Sequence, residues 1–223
     1  MGYPGDGHTR SVYDWRMTNP GRITSAKQEL RRRIIDARAA LPDDVRRGFD
    51  EARTSLVSGL LAGVPAAGRA PTSAVYLSRP PEPDTFGLVA RLCELGWRVI
   101  VPSPGDGPRP WARPAWVRYA EPVVDGPRGI PVVPDGVPAD LAEADVIVLP
   151  GLAASPDGTR LGYGSAWYDR ALLAARAGVP RWVLLNDAEV VDAVPRADHD
   201  QTVDLIVTPS RLIETVNRLT CVR

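Results

Sequence analysis

Asp145-Val-Ile-Val-Leu149, closed by Pro150-Gly151, is the stretch on which the fold turns. A short apolar run stopped by a turn pair reads as a strand buried on both faces. A glycine-rich segment, 158–165, follows it, and Trp167 to Ala177 then carries a helical pattern. The same alternation extends outward. Upstream, Ala74 to Leu77 reads as a strand, Thr85 to Leu95 as a helix ended by Gly96, and Trp97 to Val101 as the next strand. Downstream, Arg181 to Leu185 and Leu205 to Val207 are strands, and Ser210 to Leu219 a closing helix. Residues 102–114 are turn-rich, and 115–135 hold short strands and loops. Strands alternating with helices predict an α/β layered domain with a mainly parallel central sheet flanked by helices.

Residues 1–22 carry Gly, Pro and polar residues without period and are read as a disordered arm, leaving 23–223 as one domain. From Thr24 onward, Leu30, Ile34, Ala37 and Leu41 recur at helical spacing, with Ser25 as the expected N-cap and Pro42 as the stop. A second helix runs from about Asp43 to Ala62, and 64–72 form a loop.

Composition narrows the function. Lys plus Arg and Asp plus Glu both number 27 in 223 residues, so the formal net charge is zero. Nucleic-acid binding through bulk charge needs a positive excess, and none exists. No apolar run approaches the ~18 residues of a membrane span, and the first twenty residues lack the apolar core of a secretory signal. Two cysteines, Cys93 and Cys221, do not make a disulfide framework or a zinc cluster, so a reducing cytoplasm is the expected home. Of the basic residues only Lys27 is lysine.

Three segments carry chemistry. In Gly158-Thr-Arg-Leu-Gly-Tyr-Gly-Ser-Ala-Trp-Tyr-Asp-Arg170, glycines let the backbone approach a ligand, and the nearby helix start favours an anion. Arg160 and Arg170 add charge, and Asp169 is a carboxylate suited to a metal. A plain strand-to-helix turn explains the glycines equally well. Lys27 and Arg31, four residues apart, present two cations on one helical face, which suits a polyphosphate or a solvated basic face. Glu82 and Asp84 stand in a strand-to-helix loop, where α/β sheets bind ligands, although Asp84 also suits a helix cap. In Pro195-Arg-Ala-Asp-His-Asp200, the His199–Asp200 pair suits acid–base or metal work, or an ordinary loop. There is neither a G-x-S-x-G elbow nor a histidine-rich zinc set.

Taken in order, KQELR, YLSRPPEPDT, LPGLAASPDGTRLGYGSAWYDR and PRADHDQTVDLIVTP resemble the 5-formyltetrahydrofolate cyclo-ligase (methenyltetrahydrofolate synthetase) family, over about residues 25–212. The run Arg160 to Arg170 is its sharpest part. The resemblance implies ATP- and Mg²⁺-dependent cyclisation of 5-formyltetrahydrofolate to 5,10-methenyltetrahydrofolate through a phosphorylated formyl group. It implies that Lys27 and Arg31 bind ATP together with Arg160, Leu161, Gly162, Tyr163, Gly164, Ser165, Ala166, Trp167 and Tyr168. Arg160 and Tyr168 would be catalytic; Glu82, Tyr163 and Trp167 would contact the folate; Asp169 and Asp200 would hold the metal. The expected enzyme is a cytoplasmic monomer whose partner is a reduced folate, with neither nucleic acid nor membrane. The chain departs from the family pattern at Ala153-Ala154-Ser155, Ser165, Ala166, Trp167, Val132, Val133 and Ala197. The alternative is a paralogue that uses the same ATP site to activate a different formamide, carboxylate or amide. A non-catalytic nucleotide- or folate-binding protein and a sugar-phosphate isomerase are more distant readings.

Overall fold

The computed structural model describes residues 20–61 and 68–216. Helices α1 (Pro20–Ala39) and α2 (Asp43–Leu61) come first, followed by β1 (Thr72–Val75), α3 (Phe86–Glu94), β2 (Arg98–Ser103) and β3 (Ala115–Arg118). Short strands β4 (Val124–Asp125), β5 (Pro131–Val132) and β6 (Pro138–Ala139) lead to β7 (Val146–Pro150). A small hairpin of β8 (Ala153–Ala154) and β9 (Arg160–Leu161) precedes α4 (Trp167–Ala171), and β10 (Arg181–Leu184), β11 (Leu205–Val207) and β12 (Leu212–Glu214) complete the order.

The main sheet runs β12-β11-β10-β7-β1-β2-β3-β6. Its five central strands, β11-β10-β7-β1-β2, are mutually parallel, and antiparallel strands edge both sides. The buried run Val146–Pro150 lies at its middle. Alternate residues divide between two cores. Val75, Val101, Val148 and Leu184 pack with α2 and α3 on one face, while Ala74, Ile147, Leu149 and Val183 pack with Trp167, Ala171 and Leu172 on the other. Helices on both faces of a parallel sheet are the layered α/β arrangement that the alternation predicts.

Among the parallel strands the chain order is β1, β2, β7, β10, β11, whereas the spatial order is β2-β1-β7-β10-β11. The direction of winding therefore reverses between β1 and β7, whose register pairs Val75 with Val148. Ligands of open α/β sheets bind at the carboxyl ends of the strands at such a reversal. The β8–β9 hairpin follows β7 at that end, and α1 lies over it through Ile34, which packs with Leu152, Ala153, Leu161 and Val194.

Several boundaries differ from the sequence reading. Helix α1 begins at Pro20, a residue whose fixed φ suits a first helical position. Ser25 is therefore no cap; its hydroxyl donates to the Gly21 carbonyl at 3.1 Å inside the helix. Of the expected arm, Pro20 to Arg22 are helical, and 1–19 lie outside the described residues, as do Ala62 and Cys221. Strand β1 starts two residues before the expected Ala74. Helix α4 stops at Ala171 and continues as a single 3₁₀ turn through Ala174, because Ala175 is extended. The expected closing helix is instead strand β12, paired antiparallel with β11. A turn directs it there: Thr208 N–H donates to the Arg211 carbonyl, and Asp187 accepts from the hydroxyls of Thr208 and Ser210. The last three residues of that expected helix lie outside the described residues. No helix among the described residues is long and apolar enough to cross a membrane.

Candidate active site

A cleft of about 1550 Å³ opens at the β1/β7 reversal. All fourteen residues to which the resemblance gives a role line it: Lys27, Arg31 and Glu82, the run Arg160 to Asp169, and Asp200. Asp84 and Arg170 do not. Asp84 accepts from Ser78 Oγ and from the Gly87 N–H at the start of α3, as a cap would, while Arg170 donates to the Ser165 carbonyl.

At one end of the cleft two cations meet two carboxylates. The Lys27 ammonium donates to Asp200 Oδ2, which also accepts the Ala197 N–H at 2.7 Å. Burial pushes the Asp200 carboxyl up, but these two donors outweigh it and hold the acid below its usual range. Arg160 donates to Asp169 Oδ1 at 3.3 Å and to the Pro150 carbonyl at 3.0 Å, and the Gln201 N–H reaches the same Asp169 oxygen at 3.1 Å. Arg160 Nε is buried with no hydrogen-bond partner among the described residues. His199 is an exposed loop residue with Nε2 3.7 Å from Asp200 Oδ1. Asp157 spends its carboxylate within its own turn, accepting from Ser155 Oγ and from both N–H and hydroxyl of Thr159.

Helix α1 supplies this end because Lys27, Arg31, Ile34 and Arg38 follow one another down a single face. Arg31 Nε donates to the Gly162 carbonyl at 2.9 Å, tying α1 to the glycine-rich loop. A Cβ on Gly164 would stand 3.4 Å from the Arg31 guanidinium, and its φ of 103° is one that L side chains rarely adopt. Leu161 turns its side chain into the core under α1, so toward the cleft it offers main chain.

The other end is aromatic. Trp167 makes edge contacts with Tyr168 at 4.8 Å and Trp111 at 6.2 Å between centroids, and packs on Trp116 at 5.6 Å. Tyr168 also lies 5.9 Å from the Arg160 guanidinium carbon; burial pushes its phenol well above its ordinary pKa, so it stays protonated at neutral pH. Glu82 Oε2 accepts the Arg79 N–H at 3.0 Å, and Tyr163 donates to the same carboxylate. Burial raises the Glu82 pKa despite these contacts.

Sequence reasoning missed the support beneath Tyr163. Arg38, 1% exposed, forms a two-pronged ion pair with Glu189 at 2.7 and 2.6 Å. It also donates to the Gly151 carbonyl at 2.7 Å and to Tyr163 Oη at 3.3 Å. The signal was present: Arg38 stands four residues beyond the buried Ile34, on the apolar face rather than the solvated one. Trp111, Arg79, Arg128 and Arg196 also line the cleft, and nothing in their spacing marks them.

Asp169 and Asp200 each keep one oxygen, Oδ2 and Oδ1 respectively, that makes no hydrogen bond among the described residues. Such a pair fits Mg²⁺, which takes one or two carboxylates and completes its shell with phosphate oxygens and water. Among the described residues no cluster of three acidic, histidine or cysteine side chains offers a fully protein-made metal site.

The sequence model of the 5-formyltetrahydrofolate cyclo-ligase family matches residues 23–209. The chain is 34% identical over 195 residues to the 5-formyltetrahydrofolate cyclo-ligase of Mycolicibacterium smegmatis, a match covering 83% of this chain and 95% of that one. It is 29% identical over 189 residues to the protein of the same name from Escherichia coli K12, covering 79% and 96%. The solved 5,10-methenyltetrahydrofolate synthetase of Aquifex aeolicus superposes with a TM-score of 0.70 at 25% identity, over 85% of this chain and 93% of that one. The Mycoplasma pneumoniae synthetase, at 18% identity and a TM-score of 0.66, shares the fold over 82% and 98%. The family match runs from Ile23 in α1 to Pro209 just after β11 and so takes in both ends of the cleft; the chain belongs to the 5-formyltetrahydrofolate cyclo-ligase family.

Proposed function

We propose that this protein closes 5-formyltetrahydrofolate to 5,10-methenyltetrahydrofolate, converting ATP to ADP and phosphate with Mg²⁺ bound. The observation that carries the reading is that one cleft is lined both by the charged set Lys27, Arg31, Arg160, Asp169 and Asp200 and by Glu82, Tyr163 and an aromatic wall.

A formamide oxygen is a poor leaving group. It first attacks the γ-phosphorus, releasing ADP. N10 then attacks the activated formyl carbon, loses its proton, and phosphate departs. Lys27, Arg31 and Arg160 neutralise the phosphate charge, and the loop from Leu161 to Tyr168 offers main-chain N–H groups and space for it. The orphaned Arg160 Nε is a buried donor that a phosphate oxygen would satisfy. Asp169 and Asp200 hold the metal, which supplies further neutralisation of the triphosphate. Tyr168, protonated and packed on Trp167, acts as a wall and hydrogen-bond donor rather than a base. Glu82 and Tyr163 anchor the pterin end, with Trp167 beside them.

The departures from the family pattern leave this arrangement standing. Ala197 contributes its main-chain N–H to Asp200, which any residue but proline can do. Val132 and Val133 are buried core. The proposal includes a cytoplasmic monomer without nucleic-acid or membrane partners.

The test is formation of the methenyl product, followed by near-ultraviolet absorbance, with ATP, Mg²⁺ and 5-formyltetrahydrofolate each omitted in turn. Product that requires all three is expected; none from folded, magnesium-replete protein would sink the reading. Lys27→Ala should raise KM for ATP roughly tenfold or more with a smaller effect on folate binding. Asp169→Asn should displace the magnesium titration to higher concentration, and an unchanged titration would remove Asp169 from the metal site.

A further inference from the structure

The loop after β1 that carries Glu82 is held at two separate points. Asp84, two residues on, donates its N–H to Asp50 Oδ1 of α2 at 2.9 Å. Glu82 itself accepts from Tyr163, whose hydroxyl accepts from Arg38 Nη1 of α1 at 3.3 Å. Both tethers end on one turn after β10, the 3₁₀ turn Asp187–Glu189 capped by Asn186. From α2, Arg53 pairs with Asp50 and donates to Asn186 Oδ1 at 2.8 Å and to the Leu185 carbonyl at 3.1 Å. From α1, the Arg38 fork closes on Glu189. Asn186 joins the two, donating its main-chain and side-chain N–H groups to Glu189, each at 2.8 Å. The contacts form a closed ring that leaves Glu82, passes through α1, the turn after β10 and α2, and returns to the same loop at Asp84.

Arg38, Arg53 and Glu189 are each no more than 3% exposed, and none of the three lines the cleft. Buried ion pairs are weak sources of stability, since apolar side chains of similar volume serve as well. What they add here is direction. Glu189 accepts four hydrogen bonds, two from Arg38 and two from Asn186, which hold its carboxylate in one orientation. The two-pronged contact fixes the plane of the Arg38 guanidinium, and Nη2 also donates to the Gly151 carbonyl, so that Nη1 is left aimed at Tyr163. Apolar packing has no equivalent of that aim.

Resting on the cyclo-ligase reading, we propose that Asn186 and Glu189 are positioning residues, which act through Arg38 and Arg53 to fix Glu82 and Tyr163 against α1 for the folate half of the reaction. Neither lines the cleft, so neither acts by touching a ligand. The nucleotide side hangs on other contacts: Arg31 on the Gly162 carbonyl, Lys27 on Asp200, and Ile34 in its own apolar cluster. Loss of the ring lets the Glu82 loop and the Tyr163 hydroxyl shift relative to each other and leaves those contacts in place. Its effect therefore falls on the folate and spares ATP.

Two variants separate position from stability. Arg38→Met combined with Glu189→Met replaces the buried pair by apolar volume and should regain most of the stability that Arg38→Met alone loses. Asn186→Ala keeps the pair and removes the side-chain link between Arg53 and Glu189. For both, kcat/KM for 5-formyltetrahydrofolate should fall about tenfold, while KM for ATP stays within about twofold of the wild-type value. A double variant that regains both its urea midpoint and its folate kinetics would overturn the proposal, because the pair would then serve the fold alone. Equal losses for folate and ATP would overturn it too. If the double variant does not regain its midpoint, Asn186→Ala decides alone, and unchanged folate kinetics there reject the ring. If the wild-type protein forms no methenyl product, the reaction assigned above fails. Calorimetric titration with 5-formyltetrahydrofolate then decides the ring separately: wild-type binding that both variants weaken supports it, and equal affinity in all three proteins, or none in the wild type, rejects it.

Discussion

Ala166, one of the positions at which the chain departs from the family pattern, occupies φ 49°, ψ 24° immediately before α4. A left-handed alanine costs about 1–2 kcal/mol, part of which glycine would return as chain entropy. Ala166→Gly should therefore be neutral or stabilising by up to about 1 kcal/mol in urea denaturation; a clear loss of stability would show that the methyl group packs usefully. Tyr163 joins Arg38 to Glu82 through one hydroxyl. Tyr163→Phe removes a donor that lowers the Glu82 pKa, so that pKa should rise. The acid limb of kcat/KM for the folate should then shift to higher pH, while a merely structural effect would lower the profile without moving it.

At the scale of elements, α1 matters most, because it brings Lys27, Arg31 and Arg38 to the carboxyl end of the sheet on one face. The Arg38–Glu189 pair fastens it to the loop after β10, with both side chains almost wholly buried. Removing one partner leaves an uncompensated buried charge. Arg38→Met should cost about 3–5 kcal/mol in urea denaturation, and adding Glu189→Met should recover much of that loss. If the double variant were as unstable as the single one, packing rather than charge would be the cause. Strand β12 shows the opposite weighting of local and distant forces. Ser210 onward has helical spacing, yet pairing with the open edge of β11 and the Asp187-centred turn prevail. Local propensity is a weak prior where a sheet edge offers a row of unsatisfied hydrogen-bonding groups.

Over the whole molecule, acid stability follows from carboxylates held below their usual range. Burial pushes Asp200, Asp187 and Asp157 up, but hydrogen bonds outweigh it in each: Ala197 N–H and Lys27 at Asp200, hydroxyls and Arg211 at Asp187, and the Ser155 and Thr159 groups at Asp157. Their contribution is present above the unfolded carboxylate value of about 3.9 and is lost as pH falls through the lower folded values. Glu82, shifted upward by burial, works in the other sense, weakening the fold slightly as pH rises from its unfolded value to its folded one. Denaturation midpoints should fall as pH drops below about 4, and Asp200→Asn should make that decline shallower; an unchanged slope would show that the Asp200 contacts do not survive in solution. The sequence alone determined the layered α/β class, because a strand buried on both faces must be apolar throughout, as Val146 to Leu149 are. It also singled out residues that the structure gathers in one cleft, since Arg160 to Asp169 are contiguous and Lys27 and Arg31 are one helical turn apart. Only the tertiary structure decided the strand order, and with it the β1/β7 reversal that joins segments from 27 to 200 around one cleft. It also decided the pairing of Lys27 with Asp200 and the burial of Arg38. Those contacts span long stretches of chain, and no local period records which distant carboxylate or carbonyl a given arginine will reach.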